Sequence, residues 1–183
     1  LNGDGIIDTN DRTMIGRGLP IHTGGFTNNF EYKGFDLSVF FQWSYGNDVL
    51  NANRLFFDSG FQKKRELNQY ASYTNRWTPE NPNSDIPAAT NSSSNLVISS
   101  RVVEDASFLR LKTVTLGYTV PKTFLKKYKI DNARLYVAAQ NLWTITGYSG
   151  YDPEVSIRSG GLTPGLDFSS YPRALSVSFG INL

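Results

Sequence analysis

The sequence predicts an all-β fold, namely an antiparallel segment of a transmembrane β-barrel with long extracellular loops. Five stretches alternate apolar and polar residues, and the clearest of them does so over ten positions. That length suits a strand crossing a bilayer at a tilt, whereas strands of soluble proteins usually have about 5–6 residues. The connections alternate between short turns and loops of roughly sixty and roughly thirty residues. Outer-membrane barrels have short periplasmic turns and long outer loops, and soluble domains seldom carry loops of such length.

The first two strands are predicted to form a hairpin at residues 22–44. The stretch FTNNFEY carries Phe26, Phe30 and Tyr32 on one face. A very short connection at Lys33-Gly34 then leads into FDLSVFFQWS, and such connections are typical of a tight hairpin turn. The second strand has one apolar and one mostly polar face: Phe35, Leu37, Val39, Phe41 and Trp43 alternate with Asp36, Ser38, Phe40, Gln42 and Ser44.

Residues 107–143 are predicted to form a second hairpin with a periplasmic turn. In FLRLKTVTLGYTV the apolar residues occupy odd positions before Lys112 and even positions after Thr113. A β-bulge at these two residues accounts for the change of phase. Alternatively, one half of this strand stands clear of the membrane in a protruding barrel wall. The connection that follows Pro121 is long enough for one helical turn, and ARLYVAAQNLW is the fourth predicted strand.

The last strand, ALSVSFGINL, lies within residues 173–183 and alternates most regularly. Its polar face carries small serine and glycine residues, which suits a crowded barrel interior. Residues 45–106 and 144–172 are the predicted extracellular loops. In the first of them, RELNQYASYTNRW places leucine and aromatic residues at helical spacing, which predicts a short helix.

The N-terminal residues 1–21 are predicted to be the end of an extracellular loop and include the calcium-like motif NGDGIIDTND. EF-hand-type loops place oxygen ligands at positions 1, 3, 5, 7, 9 and 12, with glycine at position 6. In that register Gly5 takes position 6, and position 1 precedes the sequence. The predicted ligands of Ca²⁺ or a similar hard cation are Asn2, Asp4, the Ile6 carbonyl, Asp8 and Asp11. The alternative is an Asn/Gly/Asp-rich turn that binds no metal.

Composition and charge argue against several functions. The net charge of +2 gives no support for nucleic-acid binding, and the absence of cysteine excludes thiolate chemistry. With His22 as the one histidine, a histidine-based triad is excluded or strained, and we expect no enzyme activity. The carboxylate pairs Glu104-Asp105 and Asp152/Glu154 are better explained by loop hydrogen bonding and charge pairing than by glycoside hydrolysis. Four loop aromatic residues are expected mainly to pack under the loops, with sugar stacking as the alternative: Tyr148, Tyr151, Phe168 and Tyr171.

Several motifs in fixed order resemble a known family. NGDGIIDTNDR is followed by YKGFDLSVFFQWSYGND, RWTPENP, VEDASFLRLKTVTLGYTVP, LYVAAQNLWTITGYSGYDPEV and the alternating terminal strand. This order resembles the C-terminal part of SusC/RagA-type TonB-dependent outer-membrane transporters of Bacteroidetes, over essentially the whole chain. The segments LRLKTVTLGY and QNLWTITGYSGYDPE are the most specific.

The resemblance implies about the last five strands of a 22-stranded barrel in the outer membrane of a Gram-negative bacterium. It also implies nutrient import of an oligosaccharide or peptide, energised by TonB through a part of the protein absent from this sequence. Its expected partners are a SusD-like surface lipoprotein and outer-membrane lipid. The alternative function is a soluble, calcium-containing, carbohydrate-binding β-sandwich module.

Overall fold

The computed structural model describes residues 3–5, 8–60, 68–91, 96–157, 160 and 163–183. In chain order its strands and α-helices are β1 (His22–Tyr32), β2 (Phe35–Tyr45), β3 (Asp48–Asn51), α1 (Ala52–Phe57), β4 (Val103–Asp105), β5 (Phe108–Thr119), α2 (Lys122–Leu125), β6 (Arg134–Thr146), β7 (Leu166–Asp167) and β8 (Ser176–Asn182). The chain divides into two compact units. The sheet unit comprises Pro20–Asn47, Asp105–Val155 and Tyr171–Leu183, and the loop unit comprises Leu1–Leu19, Asp48–Glu104 and Ser156–Ser170.

The sheet unit contains one antiparallel sheet with the strand order β1-β2-β5-β6-β8. All five predicted strands are present, so these predictions are confirmed. Strand β1 begins at His22, four residues earlier than the alternating pattern indicated. The reason is the Gly24-Gly25 pair, which has low strand propensity but leaves space for two rings. A Cβ at Gly24 would overlap the Trp43 ring, and one at Gly25 would meet the Phe40 ring at 2.7 Å.

The turn between β1 and β2 consists of two residues, as predicted. Lys33 has φ 47° and Gly34 has φ 87°. Positive φ at both central residues is the signature of a type I′ turn, whose twist matches that of the flanking strands. The turn pairs Tyr32 with Phe35 and sets the register of the whole hairpin.

The predicted bulge in β5 is also confirmed. The pairing of β5 with β6 shifts register between Leu111 and Thr113, and its pairing with β2 shifts between Phe40 and Phe41. After the shift, Val114 faces Val39, so the even-numbered apolar residues of β5 continue the face that odd-numbered ones began.

Strand β5 ends in the short helical connection that the sequence predicted. The α-helix α2 spans Lys122–Leu125 and continues as a 3-10 turn over Lys126–Tyr128. Lys129, with φ 56°, ends the turn in the left-handed region. The chain then returns as β6.

The five-stranded sheet has an apolar face and a polar face. The apolar face is formed by Phe26, Phe30, Tyr32, Phe35, Leu37, Val39, Phe41, Trp43, Leu109, Leu111, Val114, Leu116, Tyr118, Leu135, Val137, Trp143, Ile145, Val177, Phe179 and Ile181. Much of it is exposed to solvent, with Phe30 at 58% and Phe179 at 81%. The end of the sheet with Tyr45, Phe108, Thr146 and Ser176 is called the loop end, and the opposite end is called the turn end.

The loop unit has secondary structure of its own that the sequence analysis did not anticipate. Strands β4, β3 and β7 form a three-stranded sheet in that order, with β3 and β7 parallel. Its buried apolar residues are Val49, Ala52, Leu55, Ile86 and Val102. Where a short helix was predicted, the structure has a 3-10 helix at Ala71–Asn75, and residues 65–67 of that stretch lie outside the described part.

Candidate functional site

Five charged side chains gather at the loop end of the sheet unit. We call them the neck cluster: Arg110, Lys112, Asp152, Glu154 and Arg173. Strand β5 supplies the first two, the segment after β6 supplies the carboxylates, and Arg173 precedes β8. The cluster is named for its position, because the chain leaves the sheet unit after Val155 and returns to it at Tyr171.

Arg110 is the centre of the neck cluster. Its Nη2 donates to Asp152 Oδ1 at 2.6 Å, and its Nη1 donates to Glu154 Oε2 at 2.9 Å. The third guanidinium nitrogen, Nε, donates to Thr144 Oγ1 at 3.0 Å. The Arg110 side chain is only 3% exposed. A planar guanidinium can serve three acceptors in this way, whereas the compact ammonium of lysine cannot match the same geometry.

The carboxylates also bind the returning chain. The backbone N–H of Arg173 donates to Asp152 Oδ2 at 3.1 Å, and Arg173 Nε lies 3.1 Å from Glu154 Oε2. Lys112 Nζ lies 3.6 Å from the same Glu154 oxygen. Lys112 lies two residues after Arg110 in β5 and therefore shares its face of the strand. Outgoing and returning segments are therefore tied to each other and to β5.

The protonation of Asp152 follows from these contacts. Burial alone would raise the pKa of Asp152. The Glu154 N–H, the Arg110 guanidinium and the Arg173 N–H oppose this effect, and together they hold the pKa below its usual range. These donors form stronger hydrogen bonds with the ionised carboxylate of Asp152 than with its protonated form. The carboxylate therefore stays charged at neutral pH.

The other long connection leaves the sheet unit after Asn47 and rejoins it at Asp105, and hydrogen bonds hold its two ends together. The Ala106 N–H donates to the Asn47 carbonyl at 2.8 Å, and the Gly46 N–H donates to Ser107 Oγ at 2.9 Å. Asn47 and Ala106 are both buried. Thr146 Oγ1 donates to the Ser107 carbonyl at 2.9 Å, which links this neck to the end of β6.

The four loop aromatic residues have different surroundings. Tyr148 is buried, as expected for packing, and Phe168 lies 5.2 Å from Phe56 between ring centroids within the loop unit. By contrast, Tyr151 is 83% exposed and Tyr171 is 88% exposed. Each of these tyrosines stands within two residues of a member of the neck cluster.

The loop unit contains a second buried carboxylate, Asp58. Arg54 Nη2 and Arg101 Nη1 lie 3.6 and 3.7 Å from its Oδ2, and Ser72 Oγ donates to its Oδ1 at 3.2 Å. Burial raises the pKa of Asp58, although both arginines and Ser72 act to lower it. Burial likewise lowers the pKa of Arg101. The nearby pair Glu104-Asp105 is engaged too, since Glu104 Oε1 accepts from Asn51 and Arg54.

The predicted calcium ligands are only partly described, because Asn2 and Ile6 lie outside the described residues. Gly5 has φ 80°, as a sharp turn at position 6 requires. Asp8 Oδ1 accepts from the Asn10 N–H at 2.7 Å, and Asp11 Oδ2 accepts from the Asp8 N–H at 3.0 Å. Among the described residues, no group of three or more acidic, histidine or cysteine side chains converges as a metal site. The calcium site stays a prediction.

Sequence reasoning identified Asp152 and Glu154 as a charge-paired carboxylate set but did not name their partner. Arg110 lies 42 positions from Asp152 in the sequence. A usable signal exists, since an arginine interrupts an otherwise apolar and threonine-rich strand. The partner of this arginine could not be predicted, however, because it depends on how the segment after β6 folds back toward β5.

Comparisons with known proteins give a consistent result. No protein-family model matches the chain. It is similar to a TonB-dependent receptor of Formosa agariphila, with 40% identity over 188 residues, covering 100% of this chain and 18% of the relative. The TonB-dependent receptor SusC of Bacteroides thetaiotaomicron is 29% identical over 183 residues, covering 100% of this chain and 17% of SusC. The chain thus spans less than a fifth of the length of these curated relatives.

Solved structures agree. The structure of the RagAB peptide transporter matches with a TM-score of 0.75 and 32% identity, covering 89% of this chain and 17% of the matched one. The antiparallel sheet is therefore an open segment of a TonB-dependent-receptor barrel. In the described part of the chain, no helix is long and apolar enough to cross a membrane. The chain belongs to the SusC/RagA-type TonB-dependent receptors and corresponds to a C-terminal part of them.

Proposed function

We propose that this chain forms part of the wall of an outer-membrane nutrient importer in a Gram-negative bacterium. In this assignment the apolar face of the sheet contacts lipid and the polar face lines the lumen. One observation carries the proposal: an apolar face that extends along strands of 11 to 13 residues is left exposed on one side of the sheet. Lipid is the solvent in which such a face is stable.

Aromatic residues at both ends of this face support the assignment. Trp43, Tyr45 and Trp143 lie toward the loop end, whereas Tyr32 and Tyr118 lie toward the turn end. Transmembrane barrels carry such aromatic girdles where the apolar band meets the two water interfaces. The long loops would then be extracellular and the short turns periplasmic.

Cysteine labelling tests the two faces directly, because the chain has no cysteine of its own. Single cysteines at Phe179 and Ile181 should react with a lipid-soluble maleimide but not with a membrane-impermeant one. Cysteines at Ser176 and Ser178, which are exposed on the opposite face of β8, should show the opposite preference. A labelling pattern without a period of two along β8 would contradict the proposal.

We propose that the complete receptor works with TonB and a SusD-like surface lipoprotein. The names of the relatives, TonB-dependent receptor and SusC, support the first partner, and the paired name RagAB supports the second. The test is uptake by cells that carry the complete receptor. Removal of TonB should abolish uptake, and a SusD-like lipoprotein should copurify with the receptor in detergent. Uptake that persists without TonB would contradict this assignment.

We propose that the imported nutrient is an oligosaccharide or a peptide. Tyr151 and Tyr171 support this class of ligand, because exposed tyrosine rings stack on sugars and pack against peptide side chains. The relatives carry receptor and transporter names, and the carboxylates of Asp152 and Glu154 are bound to arginines. Both observations favour import over catalysis.

The alternative, a soluble carbohydrate-binding β-sandwich, is not favoured. A sandwich buries the apolar face of its sheet against a second sheet. Here Phe30, Leu135 and Phe179 are at least 46% exposed. A monodisperse monomer of this chain in detergent-free buffer would support the alternative.

We also propose that residues 2–11 bind Ca²⁺ as a structural ion. The oxygen spacing of Asn2, Asp4, Ile6, Asp8 and Asp11 supports this proposal, as does the positive φ of Gly5. Calcium there would stiffen the end of a loop and would not act as a signal.

A further inference from the structure

We infer that Arg110 is a positioning residue for nutrient binding: it closes the neck of the connection between β6 and β8 and thereby fixes Tyr151 and Tyr171. This inference rests on the proposed function, because those tyrosines are proposed nutrient contacts. The sequence analysis did not name Arg110. The inference comes from its burial and from the three acceptors that its guanidinium serves.

The connection between β6 and β8 begins and ends at the neck cluster. The chain leaves the sheet unit after Val155 and rejoins it at Tyr171. A loop whose two ends are untied gains conformational entropy and does not hold side chains at fixed places. The neck cluster ties these ends together, since Asp152 and Glu154 on the outgoing segment both bind Arg173 on the returning one.

The contact between the outgoing and returning segments depends on Arg110. Asp152 is 5% exposed and Glu154 is 20% exposed, so their charges are largely removed from water. Arg110 is the buried cation that compensates them, whereas Arg173 is 49% exposed and Lys112 contacts only Glu154. Two carboxylates without that cation would repel each other in a low-dielectric site, and the neck would open toward water.

Both exposed tyrosines are close in sequence to the neck cluster. Tyr151 immediately precedes Asp152, and Tyr171 stands two residues before Arg173. Their side chains are almost fully exposed, while the neighbouring Asp152 carboxylate and the Tyr148 ring are buried. Each tyrosine is therefore an exposed side chain on a backbone segment whose position is fixed by charge-assisted hydrogen bonds of the neck cluster. Such pre-organisation lowers the entropic cost of binding a ligand.

Electron paramagnetic resonance tests the structural half of the inference without any need for transport. Spin labels are attached at Y151C and Y171C in the complete receptor, whose other cysteines have been replaced. The expected result is a narrow distance distribution that becomes broad with R110M. The control is K122M, which removes an exposed cation of α2 outside the neck cluster and should leave the distribution narrow. An unchanged distribution with R110M overturns the inference.

Uptake kinetics test the functional half, in unlabelled receptor that retains both tyrosines. We expect R110M to raise the KM for uptake about tenfold, while the maximal rate per folded receptor stays within about twofold of the wild type. A simple loss of folded receptor would lower the maximal rate and leave KM unchanged. A broadened distance distribution with an unchanged KM also overturns the inference, because the neck would then have no role in nutrient binding.

A second variant keeps the test decisive if R110M fails to reach the outer membrane. The double variant D152N/E154Q removes both charges that Arg110 binds while preserving side-chain volume. It should broaden the same distance distribution and raise KM by a similar factor, and a narrow distribution would overturn the inference. The failure of the proposed function has a separate signature, namely the absence of TonB-dependent uptake by the wild-type receptor, whatever the spin labels report.

Discussion

Arg134 of β6 forms a two-bond ion pair with Asp36 of β2, although β5 lies between their strands. Arg134 Nε donates to Asp36 Oδ1 at 3.0 Å, and Nη2 donates to Oδ2. The pair crosses β5 at Gly117, the residue that faces Asp36 in the register. Gly117 has no side chain, so the guanidinium can extend over its backbone. One missing Cβ therefore allows three strands to be joined at the turn end of the polar face.

The first prediction is that G117A destabilises the sheet. A Cβ at Gly117 would overlap both the Arg134 guanidinium and the Asp36 carboxylate. Overpacking of this kind typically costs about 1–3 kcal/mol, and we expect the urea midpoint of the complete barrel to fall. The matched control is G147A, because a Cβ at Gly147 would meet no atom within 4 Å. Equal midpoints for the two variants would contradict this explanation.

The second prediction contrasts two buried carboxylates. D152N should destabilise the neck by roughly 1–3 kcal/mol, because it removes the charge that Arg110 and two backbone N–H groups bind, while Glu154 still pairs with Arg110. D58N should cost less stability in the loop unit than D152N costs in the neck, because burial raises the pKa of Asp58 and disfavours its charged form. Hydrogen exchange at the backbone amides of Glu154 and Ser72 measures the two effects. The interpretation is wrong if D58N has the larger effect.

The third prediction concerns pH. The pKa of Asp152 is lowered on folding, so its contribution to stability is present above the unfolded pKa of about 3.9 and is lost as pH falls through the folded value. The neck should therefore stay closed from pH 8 to pH 5 and open only in stronger acid. The pKa of Asp58 is raised, so its contribution has the opposite sign and falls as pH rises through the folded value. A protection factor of the Glu154 amide that falls between pH 8 and pH 5 would refute this assignment.

The fourth prediction tests the lipid face by stability. Phe179 occupies the middle of β8 on the apolar face, and F179R should destabilise the inserted barrel by about 2–4 kcal/mol. S178R changes the adjacent residue on the polar face and should cost much less, because that side chain reaches the aqueous lumen. Heat-modifiable migration on a gel, with the temperature of the transition as readout, compares the two variants. A larger loss with S178R would reverse the assignment of the faces.

The fifth prediction concerns the calcium motif. The complete receptor should bind Ca²⁺ at this motif with a Kd of about 0.1–1 mM, in the range of extracellular modules. The double variant D8N/D11N should abolish the heat of binding in a calorimetric titration. D131N, which removes an exposed carboxylate from the connection between α2 and β6, is the control and should bind normally. Identical titrations for all three proteins would reduce the motif to a turn.

Much of the sheet unit was predictable because strand alternation is a local property. The bulge in β5 could be located at Lys112 and Thr113, since two halves of one strand can share a face only if an extra residue separates them. The turn at Lys33-Gly34 could also be predicted, because the two alternating strands on either side leave only these two residues between them. The hairpin was predicted to begin at residue 22, where β1 begins, although alternation is visible only from Phe26 because Gly24 and Gly25 carry no side chains.

The loop unit and the neck cluster depended on long-range contacts. Strand β7 is two residues long, too short for a period to be recognised, and it pairs with β3 across more than a hundred positions. Likewise, no spacing rule relates Arg110 to Asp152 and Arg173. By itself, the sequence determined the strands, their faces and the family, because side-chain alternation and motif order are written along the chain. Only the tertiary structure decided which charges meet, because burial and distance in space choose the partner of a buried arginine.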